Sequence, residues 1–271
     1  MSTPGSPIGI FDSGLGGLTV VREVMRQLPS ERIIYFGDTA RVPYGPKSPD
    51  TVRRYSREIA AFLMSQDVKA IVVACNTATA HALPMLRDEL PIPVLGVVEP
   101  GARAAVTATR RGELGVIGTA GTIGSGAYER AIRALAPDAH IMARACPLLV
   151  PLVEEGWVDH DATRLIAREY VGPLRNAGVD TVVLGCTHYP LLKPVLSEVL
   201  GADVVLIDSA HETAVDTARV LAARGLLSTA TGSAEAAQHR FVASDAPDHF
   251  LRLGQRFLGL AIERVDTVTL G

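Results

Sequence analysis

Two cysteines are the residues of this chain best placed to do chemistry. Cys75 closes the run Ala70-Ile71-Val72-Val73-Ala74 and is followed by Asn76-Thr77-Ala78-Thr79. Cys186 closes Thr181-Val182-Val183-Leu184-Gly185 and is followed by Thr187-His188-Tyr189-Pro190. Each run is short, apolar and β-branched, which reads as a buried strand. Each cysteine therefore stands at the carboxyl end of a strand, just before a helix begins. Open α/β sheets bind ligands there, and free N–H groups with a helix dipole favour a thiolate there. The pair suggests two thiols facing one another. Cys146, before Pro147 in an apolar run, has no such counterpart and reads as structural.

The elements that must position these thiols follow a repeated order. Ile8 to Phe11 is a first strand, leading into Asp12-Ser13-Gly14-Leu15-Gly16-Gly17 and a helix to about Leu28. Residues 32–37 form a strand ending at Asp38, and the proline-rich stretch 39–49 an ordered loop. A helix over 50–65 precedes the first cysteine strand. Pro84 sits in or beside the helix after it and could bend it, and Val94 to Val98 is a further strand. At Leu114-Gly115-Val116-Ile117-Gly118-Thr119-Ala120 the pattern of Ile8-Gly9-Ile10-Phe11-Asp12-Ser13-Gly14 restarts. Opening strand, loop and later cysteine strand thus occur twice at similar separation, as in two related α/β halves.

In the second half, strands are expected over 140–144 and 204–207, and helices over 161–177 and 191–200. Asp208-Ser209 caps a helix to about Arg224, and 226–237 is small and polar, hence a loop. Beyond it, 240–243 reads as an edge strand, Asp245 as the cap of a helix to Phe257, and 262–268 as a last strand. This tail has no counterpart after the first half, so it is expected to return and pack there. The expected domains are 1–97 plus 208–271, and 98–207.

Composition bounds the function. The chain has 271 residues, 48% of them hydrophobic and 20% charged, which describes a globular protein. A net charge of −3 gives no global case for nucleic acid. Three cysteines are too few for a disulfide framework. With no basic region leading into an apolar core over 1–7, they read as reduced thiols in a cytoplasmic protein. No apolar run reaches the ~18 residues of a membrane span.

Other features leave alternatives open. The turn Asp12 to Gly17 lacks a P-loop lysine and the glycine spacing of a dinucleotide fingerprint. It is either a tight strand-to-helix turn capped by Ser13 or Asp12, or a carboxylate-binding turn with Asp12 as acid–base helper. Around His188 only Cys-x-His is available, short of a zinc ligand set. A Cys–His hydrolase would leave the second cysteine without a role. Glu154 and Glu155 are either a solvated helix end or contributors to a site.

Four ordered segments resemble the glutamate racemases of the cofactor-independent aspartate/glutamate racemase family. They are Gly9-Ile10-Phe11-Asp12-Ser13-Gly14-Leu15-Gly16-Gly17, Pro43-Tyr44-Gly45, Ala74-Cys75-Asn76-Thr77-Ala78 and Gly185-Cys186-Thr187-His188-Tyr189-Pro190. The resemblance spans residues 8–224. It implies two pseudo-symmetric α/β domains, each a mostly parallel sheet flanked by helices, with the active site in the cleft between them. It implies that Cys75 and Cys186 are the acid–base thiols, assisted by Asp12, His188 and Glu154. Asp12, Ser13, Tyr44, Gly45, Asn76, Thr77, Thr187 and His188 match glutamate-binding positions. It implies no cofactor and no metal. The expected partner is the small-molecule substrate glutamate, with no nucleic acid and no membrane, and a homodimer is the assembly to test.

The implied chemistry suits these residues. Inversion at Cα removes a proton from one face and returns one to the other, which two opposed groups can do. A thiol with a reference pKa of ~8.5 reaches either protonation state with a modest shift. Without an electron sink, preorganised donors must stabilise the carbanion or enediolate. By analogy Cys75 serves D-glutamate and Cys186 L-glutamate, and the product feeds peptidoglycan synthesis. The alternatives are aspartate or a related amino acid as substrate, or a non-catalytic small-ligand-binding protein on the same scaffold.

Overall fold

The structure, a computed structural model, describes residues 3–229 and 238–270. The expected loop over 226–237 therefore lies outside the described residues from 230 onward. In chain order the first elements are β1 (Ile8–Asp12), α1 (Leu18–Gln27), β2 (Ile33–Gly37), α2 (Pro49–Met64), β3 (Ala70–Val73), α3 (Asn76–Glu89), β4 (Val94–Gly96) and α4 (Val98–Ala108). Then come β5 (Glu113–Gly118), α5 (Ala120–Gly124), α6 (Ala127–Leu135), β6 (His140–Ala145), α7 (Leu149–Glu154), α8 (Asp161–Asn176) and β7 (Thr181–Gly185). A short 3-10 turn, Tyr189–Leu192, leads into α9 (Lys193–Leu200), β8 (Val205–Asp208), α10 (Ser209–Ala223), β9 (Arg240–Ala243), α11 (Pro247–Leu258) and β10 (Val265–Thr267).

The strands form two sheets with parallel pairing throughout. The first has the order β10-β9-β2-β1-β3-β4 and the second β6-β5-β7-β8. Strands β2-β1-β3-β4 and β6-β5-β7-β8 thus repeat one topology. In each the opening strand lies between its two successors, so the chain crosses from one side to the other. The switch points fall between β1 and β3 and between β5 and β7, where such folds open a crevice at the strands' carboxyl ends. Parallel sheets are covered on both faces, which requires the apolar strands seen here. All of β1, β2, β3 and β7 is buried.

Several sequence expectations are corrected. The strand at Val94 stops at Gly96, and Val98 opens α4, a helix with Pro100 in its first turn, where no N–H is needed. Strand β9 is internal, paired with β2 and β10, so β10 is the edge. Helix α11 starts after Ala246, which has no side-chain cap; Asp245 instead accepts from the Ala246 N–H at 2.7 Å. Helix α1 starts after Gly17, so neither Ser13 nor Asp12 caps it. Pro84 lies inside α3, one of the two placements expected for it. No helix among the described residues is long and apolar enough to cross a membrane.

Candidate active site

The carboxyl ends of the four switch-point strands deliver the site. Strand β1 ends at Asp12 and is followed by Ser13; β3 leads to Cys75; β5 leads to Thr119; β7 leads to Cys186. One cavity of about 30 Å³ is lined by Ser13, Tyr44, Gly45, Cys75, Asn76, Thr77, Cys186, Thr187 and His188, with Val42, Pro43, Thr119 and Val150. Both thiols face it. Asp12 and Glu154 stand behind its wall, the first bonded to Thr187 and the second to His188. Cys146 lies elsewhere, fully buried in the apolar core.

On the first side, Cys75 takes the N-cap position of α3, and the Ala78 N–H donates to its sulfur at 3.4 Å. The thiol in turn lies 3.7 Å from the Ser13 hydroxyl oxygen. Burial, then the charge of Asp12, push the Cys75 pKa up to about 12, and these two hydrogen bonds oppose the rise only in part. Cys75 therefore rests as a neutral thiol. Asp12 is wholly buried; its Oδ1 accepts from the Gly14 N–H at 2.9 Å and its Oδ2 from the Thr187 hydroxyl at 3.4 Å. Burial raises its pKa against the pull of His188 and these donors.

On the second side, His188 Nδ1 lies 3.9 Å from the Cys186 sulfur and Nε2 lies 2.9 Å from Glu154 Oε1. Burial disfavours the imidazolium, yet the bonds to Cys186 and Glu154 outweigh it and hold the His188 pKa at about 10. The ring also stands edge-on against Phe257, 5.1 Å between centroids. Glu154 is the last residue of α7, whereas Glu155 points to solvent. Of the two adjacent acids, only Glu154 reaches the histidine.

The loop after β2 forms another wall. Buried Asp38 accepts from the Tyr44 hydroxyl, from Arg41 Nε at 2.7 Å and from the Ser244 hydroxyl at 2.8 Å. The Tyr44 hydroxyl is thereby committed to Asp38, so this residue meets the cavity through its ring and backbone. The Gly45 carbonyl accepts from the Gly121 N–H at 2.8 Å, which ties this wall to α5. Thr77, Thr119 and Thr122 bring their hydroxyls into a triangle with sides of 2.8, 3.1 and 3.0 Å. Thr119 is a lining residue that the sequence analysis did not single out. The signal was the repeat itself, in which Thr119 matches Ser13.

Close approach explains Gly16. A Cβ there would lie 2.2 Å from the Thr187 hydroxyl and 2.6 Å from His188 Nδ1. The turn after β1 can press against the second half only without a side chain.

The arrangement supplies two thiols on one cavity, each with its own polar neighbours, and donors from Ser13, Asn76, Thr77 and Thr187 between them. Among the described residues no cluster of His, Cys, Asp and Glu could hold a metal ion. Proton transfer at a substrate carbon is the chemistry this geometry can perform.

The chain is similar to glutamate racemases of known sequence and structure. A glutamate racemase of Geobacter metallireducens is 56% identical over 267 residues, covering 98% of each chain. A crystal structure of a glutamate racemase isoform from Bacillus anthracis superposes with a TM-score of 0.93 at 43% identity, covering 98% of each chain. One from Francisella tularensis, solved in complex with D-glutamate, gives 0.91 at 37% identity, again over 98% of each chain. Residues 8–217 match the family described as Asp/Glu/Hydantoin racemase. The chain belongs to that family.

Proposed function

We propose that this protein is an isomerase that interconverts L- and D-glutamate by a two-thiol, cofactor-independent exchange of the Cα proton. The observation that carries the reading is the placement of Cys75 and Cys186 on one cavity, each at the end of the equivalent strand of its own sheet. One thiol removes the proton as thiolate and the other, as thiol, returns one to the opposite face. Asp12 is the charged neighbour of Cys75, and the Glu154–His188 pair that of Cys186. Ser13, Tyr44, Gly45, Asn76, Thr77, Thr187 and His188 bind the substrate, Tyr44 and Gly45 through their backbone.

We assign residues 1–97 and 208–271 to one domain and 98–207 to the other, supported by the two sheets and by the return of β9 and β10 to the first. The cavity of about 30 Å³ is lined by residues of both halves, and we assign it to the substrate. In the cell the reading places the protein in the cytoplasm, supplying D-glutamate for peptidoglycan. It also carries a homodimer, for which sedimentation is the test. The apolar side chains of Leu148, Trp157 and Leu165, exposed near α7 and α8, support that assembly.

The decisive experiment incubates the protein with L-glutamate in deuterated water without additions. Optical rotation should decay to zero while deuterium enters Cα, and pyridoxal phosphate, metal or chelator should change nothing. Persistent rotation with glutamate but decay with aspartate would transfer the reading to that substrate.

A further inference from the structure

We infer that Tyr128 is a positioning residue that turns the Asn76 amide so that its N–H₂ is presented to a carboxylate of the substrate. The inference rests on the glutamate reading and extends it to a residue outside the cavity wall. Asn76 is the first residue of α3, is 3% exposed and lines the cavity. Its Oδ1 accepts from the Tyr128 hydroxyl at 2.7 Å. Its Nδ2 is buried with no hydrogen-bond partner. Tyr128 belongs to α6, in the other half of the molecule, and is 1% exposed.

An asparagine amide can present either end, and its partners decide which. Burial raises the Tyr128 pKa, with a hydrogen bond from Ser209 acting the other way. The phenol thus stays neutral and keeps a proton to donate, and it selects the carbonyl end of Asn76. The tyrosine cannot easily shift. A Cβ on Gly185 would lie 3.0 Å from its ring, and one on Gly101 would lie 3.3 Å from its hydroxyl and 3.1 Å from Ser209 Cβ. The remaining end of Asn76 is a donor without an acceptor, which is costly when buried. An ammonium group cannot satisfy it, but a carboxylate oxygen can. The reversed amide would set a carbonyl oxygen against that carboxylate.

The test is Tyr128→Phe, which keeps the ring and removes the proton. KM for both glutamate enantiomers should rise about tenfold, the loss of one hydrogen bond to a charged group, with a smaller change in kcat. In an Asn76→Ala background the same substitution should leave KM unchanged, a coupling that a merely structural role would not show. Asn76→Asp preserves an acceptor for Tyr128 but offers the substrate an acceptor in place of a donor. Its KM should rise further than that of Tyr128→Phe while its melting temperature stays near wild type. An unshifted KM in Tyr128→Phe or in Asn76→Asp, or full additivity with Asn76→Ala, would overturn the inference while leaving the racemase reading intact. A wild-type protein that exchanges no Cα proton of glutamate would overturn both. Should Tyr128→Phe fail to fold, an unshifted KM in Asn76→Asp still overturns the inference.

Discussion

Glu154 Oε1 stands 2.9 Å from His188 Nε2, while the ring's other nitrogen faces the Cys186 sulfur at 3.9 Å. The two residues are far apart in sequence, one ending α7 and the other following β7. A buried imidazole without the carboxylate would tend to lose its proton.

Glu154→Gln should therefore lower the His188 pKa from about 10 toward its ordinary 6.5, read by NMR titration of the ring protons. Because the folded-state value is raised, His188 stabilises the fold fully below pH 6.5, and that contribution disappears as pH rises through 10. In the variant the alkaline loss of stability should begin at lower pH. Racemisation should fall by about two orders of magnitude, the lower range for a positioned acid–base group. An unchanged titration would exclude Glu154 as the partner of His188.

The thiols should divide the two faces of the substrate between them. Cys75→Ser and Cys186→Ser should each lose racemisation by several orders of magnitude, roughly 10³-fold or more, since serine is a poor base near neutral pH. An analogue with a leaving group at Cβ needs only one deprotonation to eliminate. Cys75→Ser should retain elimination from the L-analogue, and Cys186→Ser from the D-analogue. Equal elimination of both enantiomers by both variants would contradict one thiol per face. Clean but swapped selectivity would reverse only the handedness.

Cys75 should label slowly at neutral pH. With its pKa pushed up to about 12, the rate of carboxamidomethylation at Cys75, followed by mass spectrometry, should climb tenfold per pH unit through pH 9 without a plateau. A plateau near pH 9 would show an ordinary thiol. Glutamate should protect the residue by occupying the cavity.

Gly16→Ala should damage catalysis far more than Gly14→Ala. At Gly16 the new methyl meets Thr187 and His188 at 2.2–2.6 Å, whereas at Gly14 it meets only the Val42 side chain at 3.3 Å. Displacing His188 and Thr187 by about 1 Å should cost roughly 10²-fold in kcat/KM. Comparable activity of the two variants would show that the turn yields without moving the site.

Much of this molecule is written locally. The β-branched runs ending in Cys75 and Cys186 specify buried parallel strands, because the strand period and apolar content are properties of a few neighbouring residues. The restart at Leu114 reflects a real repeat of topology, β2-β1-β3-β4 against β6-β5-β7-β8. Among the glycines after Asp12, Gly16 marks a place too tight for a side chain, although what it approaches lies in the other half.

Tertiary structure decided the rest. Whether Glu154 or Glu155 meets His188 depends on which way α7 faces, and adjacent residues of equal chemistry cannot settle that. The Tyr44 hydroxyl turns to Asp38 because Ser244, brought back by β9, and Arg41 converge on the same carboxylate. Strand β9 became internal because β10 pairs on its far side, a fact with no trace in its four residues. The partnership of Tyr128 with Asn76 spans two sheets. Sequence patterns fix which residues lie on an element's face, since that follows from backbone periodicity. They do not fix what a side chain meets across a cleft, since that depends on how separately folded layers pack.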